Sequence, residues 1–232
     1  MAGGKSKQGA GNEFPRGFIS AVKKDEFLGG FVSAVKKPFT NANAWLIGII
    51  LSLPVINLLG IFYLAGYSVR ISRMVMRGDD AVIDWDKAGN RLVVDGIKFL
   101  AIYLVYLVPA IICVFAALLM LGIMVFLGGD WVVMALGFAF ALFALLFAIP
   151  GMLFGTSAVL NFARFGSIAH AFDFGAVAKV ALDMRFIKAF AVALLYGLLL
   201  KVVTLGIFFP LLAFPAFVTF FTIVADAYRQ VK

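Results

Sequence analysis

One cysteine, Cys113, and one histidine, His170, are all that the chain holds of the softer metal ligands. Cys113 sits inside an apolar run, so an intrachain disulfide is excluded, and so is a tetrahedral Cys/His metal site. Charge is scarce as well, at 14% of residues, against roughly a quarter in a soluble globule. Phosphate-cradling glycine loops, serine-hydrolase elbows, HExxH and CxxC are all missing, which leaves no recognisable catalytic signature and no expected cofactor. The first residues, Met1 to Asn12, are rich in Gly, Lys, Ser and Gln and lack the apolar core of a secretory signal. Residues 1–16 read as a disordered tail.

What is present is apolar mass. Hydrophobic residues make up 64% of the 232-residue chain and mean hydropathy is +1.07, where a soluble globule is about half apolar. Too few polar side chains exist to cover a water-facing surface, so the solvent is lipid. Twenty Lys and Arg against twelve Asp and Glu give a formal net charge of +8. In a membrane chain that excess reads as topology and as attraction to anionic head groups, not as nucleic-acid binding.

Four apolar stretches stand out: Trp45 to Val69, Ile97 to Leu127, Trp131 to Phe162 and Ile187 to Ala225. A helix needs about 20 apolar residues to cross a bilayer core. The last stretch is too long for one crossing and divides near Gly206. The fold class expected is therefore all-α, a polytopic bundle of about five transmembrane helices with amphipathic interfacial helices. Pro109 and Pro150 permit kinks within two of the spans. The connection Arg70 to Lys98 holds six Lys and Arg, and Arg164 to Lys188 holds four. Both should face the cytoplasm, with the tight Gly128-Gly129-Asp130 turn outside. That places the C-terminus inside and the N-terminus outside, unless the first segment is re-entrant, broken at Pro54 and Asn57.

Two repeats are visible. Gly17 to Lys24 and Gly30 to Lys37 agree at seven of eight positions. Phe18 and Val22, like Phe31 and Val35, share a helical face with the lysine pair turned away, a pattern suited to the membrane interface. A tandem duplication in a tolerant tail explains it equally well. Residues 17–44 thus form a basic amphipathic repeat ahead of a transmembrane domain, 45–232. A fainter repeat sets Tyr67-Ser-Val-Arg70 beside Leu160-Asn-Phe-Ala-Arg164, each followed by a charged stretch and then by Asp95-Gly-Ile-Lys-Phe or Asp183-Met-Arg-Phe-Ile-Lys. Span, interfacial helix and span would then occur twice.

Ionisable groups at membrane depth point to function by default. Lys201 is the one cation well inside a span, although its stem can snorkel to the interface. Asn57, beside Ser52 and Pro54, either lines a cavity at a helix break or hydrogen-bonds to a neighbouring helix. Gly151 and Gly155 have the small-xxx-small spacing of close helix packing, within the chain or between copies. In the loops, Asp84, Trp85 and Asp86, with Asp79 and Asp80, could bind a cation, but they fit helix capping and interface anchoring better. Asp173 is placed like them, and Arg70 and Arg73 close the first apolar stretch.

The run Pro54-Val-Ile-Asn57, then Gly66-Tyr67-Ser-Val-Arg70-Ile-Ser-Arg73 with Arg77-Gly78, Asp84-Trp85-Asp86, Asp95-Gly96-Ile-Lys-Phe-Leu and Tyr106-Leu-Val-Pro109, resembles a prokaryotic, largely archaeal membrane family. That family is domain of unknown function 4013. His170-Ala-Phe-Asp173-Phe-Gly175 resembles its second-loop signature, while Val82-Ile83-Asp84 departs from the family's Leu-Pro-Glu. The resemblance implies a polytopic helical fold with amphipathic loop helices and supplies no catalytic residue. The expected role is a non-enzymatic accessory, scaffold or lipid-organising component of the cell membrane, in a homo-oligomer or with a membrane-complex partner. A small transporter or channel subunit is the main rival, and a lipid enzyme using the loop aspartates is the third.

Overall fold

The computed structural model describes residues 29–53, 56–79, 91–204 and 209–231, with the side chains of 57–59 and 209–211 left out. Among them every regular element is helical. Helix α1 covers residues 29–36, and a single 3-10 turn, Lys37–Phe39, follows. Then come α2 (Ala42–Ser52), α3 (Asn57–Arg77), α4 (Arg91–Leu127), α5 (Trp131–Phe165), a second 3-10 turn (Ile168–Phe172), α6 (Phe174–Ala181), α7 (Met184–Val203) and α8 (Phe209–Val231).

Side-chain oxygens start several of these helices by accepting otherwise unpaired amides. Asn41 accepts from Ala44 N at 3.1 Å, Asp130 from Val132 N at 3.1 Å, Asp173 from Ala176 N at 3.0 Å and Asp183 from Arg185 N at 2.8 Å. Three interior prolines are absorbed, because α4 runs on through Pro109, α5 through Pro150 and α8 through Pro215.

Among the described residues, four helices are long and apolar enough to cross a membrane: α4, α5, α7 and α8. The expected span Trp45 to Val69 is not one helix. It is divided into α2 and α3, with the break at the Leu53-Pro54 position and Pro54 itself outside the described residues. Leu53 N bonds back to Ile50 O, Ile56 N to Leu53 O and Gly60 N to Ile56 O, so turns replace the helical ladder where proline would interrupt it. The junction is tight: a Cβ at Gly60 would lie 2.1 Å from the Leu51 carbonyl oxygen.

Helices α4 and α5 form a long antiparallel hairpin, and α7 and α8 a shorter one. Helix α3 joins them, packing on α4, α5 and α8. Its contact with α4 is backbone against backbone. A Cβ at Gly66 would fall 1.8 Å from Leu92 O, and one at Gly96 1.8 Å from Phe62 O. The core then gathers around α5 from Thr156 to Ala163, where every residue is buried, with Tyr67, Phe99, Phe186, Phe221 and Tyr228 around it. Beyond Ala110 in α4 and before Ala144 in α5 no residue is buried, and the hairpin presents Phe115, Phe126, Phe138 and Leu146 outward. In water such a surface would be a severe liability; in lipid it is the ordinary exterior of a span.

A second sequence expectation is corrected as well. In the Gly30 to Lys37 repeat the lysine pair does not turn away together, since Lys37 is buried at 6% exposure. The helix is held on the bundle: Phe31 meets Tyr196 edge-on with centroids 6.0 Å apart, and Thr219 donates to the Ala34 carbonyl at 3.3 Å. The first repeat copy and the tail, residues 1–28, lie outside the described residues. The charged stretch of the first copy of the fainter repeat lies outside the described residues, while in the second α5, α6 and α7 follow in order. Asp183 caps α7, whereas Asp95 lies inside α4 and faces Arg73.

Gly66→Ala or Gly96→Ala must therefore push α3 and α4 apart. Each should cost about 1–3 kcal/mol or more, read as a lowered midpoint of thermal unfolding in detergent. Gly122→Ala, with open space around its Cβ position, should be neutral or slightly stabilising.

Candidate functional site

Strongly polar groups collect at one end of the bundle. The last turns of α3, α5 and α8 and the first turns of α4 meet there, bringing Arg73, Arg77, Arg91, Lys98, Arg164 and Arg229 around two adjoining cavities. The smaller, about 240 Å³, is lined by Arg73, Met76, Arg77, Arg164, Tyr228 and Arg229. The larger, about 540 Å³, shares Arg73, Arg77 and Arg164 and adds Arg91, Val94, Asp95, Lys98, Phe165 and Gly166. Among the described residues, five cations and one carboxylate line the larger cavity.

Helix termination builds this end. Gly78 (φ 84°) and Gly166 (φ 73°) close α3 and α5 in the left-handed conformation that a side chain resists. Arg77 and Arg164 occupy the last turns before them, where a cation complements the negative end of the helix dipole. Arg91 is the first described residue of α4.

Arg73 organises the site. Its Nε donates to the Ala163 carbonyl at 2.9 Å, tying α3 to α5, and its Nη1 lies 3.8 Å from Asp95 Oδ2 on α4. Arg164 stacks its guanidinium over Phe165 at 5.4 Å and lines the smaller cavity with Tyr228. Tyr228, fully buried, donates to Asn161 Oδ1. Lys98 Nζ lies 5.7 Å over the Phe162 ring, a cation–π geometry. Asp226 is taken up by Arg229 at 2.9 Å and Gln230 at 3.0 Å. Arg77 and Arg91 are exposed and make no hydrogen bond or ion pair with the described residues.

Of the residues singled out from sequence, only Arg73 lines these cavities. Arg70 sits one turn earlier in α3 and outside the lining. Asp84, Trp85 and Asp86 lie outside the described residues, as does the side chain of Asn57, whose backbone opens α3. Asp173 is spent on capping α6. Lys201 is exposed in the last turn of α7. Arg185, near the other end of that helix, bonds Gln230 O at 3.3 Å beside the basic cluster, so Lys201 belongs to the opposite end. Gly151 and Gly155 face α4 within the chain: a Cβ at Gly151 would lie 2.8 Å from Tyr106 O, and one at Gly155 3.3 Å from the Tyr103 ring. Arg77, Arg91, Lys98, Arg164 and Arg229 were missed as a site. The available signal was that all of them flank apolar stretches on the same predicted side.

Tyr228→Phe removes a buried partner from Asn161. A loss of about 1–3 kcal/mol is expected, seen as a lower unfolding midpoint; Tyr63→Phe, at a partly exposed position, should change it little.

Comparison with known proteins adds one match. The sequence model of a family described as Protein of unknown function (DUF4013) covers residues 49–211, well over half the chain. No curated protein and no solved structure matches.

Proposed function

We propose that this chain, which belongs to the DUF4013 family of proteins of unknown function, is a non-enzymatic accessory, scaffold or lipid-organising component of the cell membrane. Four apolar helices make it a membrane protein; its role, its membrane and its number of passes are the proposal. The observation that carries it is how the buried polar atoms are used. Ser52, Ser68, Ser72 and Thr222 each donate to the carbonyl four residues earlier on their own helix, at 2.7–2.9 Å. Tyr103 pairs with Thr156 at 2.5 Å, and Ser157 donates to Val177 O at 3.0 Å. The first four satisfy their hydroxyls within their own helix, and the last two tie α4 to α5 and α5 to α6. Chemistry-bearing charge is instead gathered at the basic end, which the positive-inside rule assigns to the cytoplasm and to anionic head groups. On this reading the protein works without a cofactor, beside lipid and either its own copies or a membrane-complex partner.

One observation favours the rival, a small transporter or channel subunit: the division of the first apolar stretch into α2 and α3, a discontinuity that transporters use at binding sites. Flux measurements separate the two. Sealed proteoliposomes containing the full chain should show no more leak of K⁺, H⁺ or phosphate than empty vesicles. A protein-dependent flux reduced several-fold by Asn57→Ala would overturn the scaffold reading in favour of transport.

A further inference from the structure

We infer that the basic end holds a specific site for a phosphate-bearing anion, gripped by Arg77, Arg91 and Arg164 and framed by Arg73 and Lys98. This deepens the reading of the chain as a lipid-facing component and rests on it.

Two ordinary explanations account for part of the cluster. Cations in the last turns of α3 and α5 answer the helix dipoles, and cations beside a span answer the positive-inside rule. Neither accounts for the convergence. Exposed cations spread apart to lower their mutual repulsion, yet here five from three helices line one cavity with Asp95 as the single carboxylate among the described residues, and two of them, Arg77 and Arg91, have no polar partner there. Asp95 cannot neutralise them: it is matched to Arg73 at 3.8 Å, beyond hydrogen-bond distance. An anion in the cavity relieves that repulsion, being attracted by the cations together.

The geometry also fits phosphate better than a lone carboxylate. Arginine forks present paired N–H donors that match the oxygens of a phosphate, and several oxygens can be shared among several forks. Arg73 is held by the Ala163 carbonyl and Arg164 is stacked on Phe165, so part of the site is built before any ligand arrives. Arg77 and Arg91, exposed and unpaired among the described residues, stand ready on opposite helices of the same cavity. At 540 Å³ the cavity is within the usual range of ligand sites, about 300–1,000 Å³. A lipid head group and a free phosphate carry the same chemistry, and the test tells them apart.

The full chain in nonionic detergent would be unfolded thermally while sodium phosphate is titrated at constant ionic strength. In parallel it would be placed in nanodiscs of phosphatidylcholine alone or with one third phosphatidylglycerol. Ligand binding to the folded state raises the unfolding midpoint by mass action. The double variant Arg77→Gln/Arg91→Gln alters only exposed side chains and should fold normally; Lys201→Gln removes a charge at the far end. A saturable rise with phosphate, weakened about tenfold or more in the double variant and retained in Lys201→Gln, identifies a free phosphate site. A rise with phosphatidylglycerol alone, showing the same variant pattern, identifies a head-group site. Absence of any rise, or a rise lost equally in the double variant and in Lys201→Gln, overturns the proposal. Flux through proteoliposomes is a separate readout, so loss of the scaffold reading and loss of this site are told apart.

Discussion

The backbone contact between α3 and α4 is the constraint on which the rest depends. Gly66 and Gly96 each sit against a carbonyl of the other helix, where a Cβ would come within 1.8 Å. Only that approach brings the end of α3 alongside the start of α4 and within reach of α5. Arg73 can then bond Ala163 O and face Asp95 in the same conformation. The cavities open where these helix ends meet, so the basic site is a by-product of a close glycine crossing.

Stability and site draw on different parts of the molecule. The buried stretch of α5 from Thr156 to Ala163, with the Tyr228–Asn161 and Tyr103–Thr156 pairs, locks the bundle by satisfying polar atoms where water is absent. The outer half of the α4/α5 hairpin does the opposite and leaves its side chains to lipid. Between these lies the basic end, partly exposed, where electrostatics is strong enough to select an anion yet water and salt can still reach it. The rigid core holds the fixed arginines of that site, and the exposed ones remain adjustable.

Much of the architecture was legible residue by residue. The α4, α5, α7 and α8 ranges follow the apolar stretches to within a few residues, because a helix in lipid must satisfy its own backbone and cannot stop midway. The Gly128-Gly129-Asp130 turn, Asp173 and Asp183 read as breaks and caps for similarly local reasons. Trp45 to Val69 was read as one span because hydropathy counts apolar residues; the alternative of a first segment broken at Pro54 and Asn57 put the break where α2 ends and α3 begins. Lys37 misled because its repeat was read as an isolated amphipathic helix, while the bundle offered α7 and α8 as a wall. Of the site, Arg73 alone was singled out, since cations scattered over more than 150 positions look like routine loop charge until helices bring them together.

Composition and hydropathy by themselves determined that this is a helical membrane protein with a basic surplus beside its spans, since apolar excess and uncapped charge act through solvent and need no partner. Its membership in a family of unknown function was carried by short motifs in fixed order. Tertiary structure alone decided which basic residues share a cavity, that Gly151 and Gly155 serve α4 inside the chain, and that Lys201 stands apart from the cluster. The physical reason is range: solvent preference is a property of each residue, whereas a binding site is a distance between residues that only packing sets.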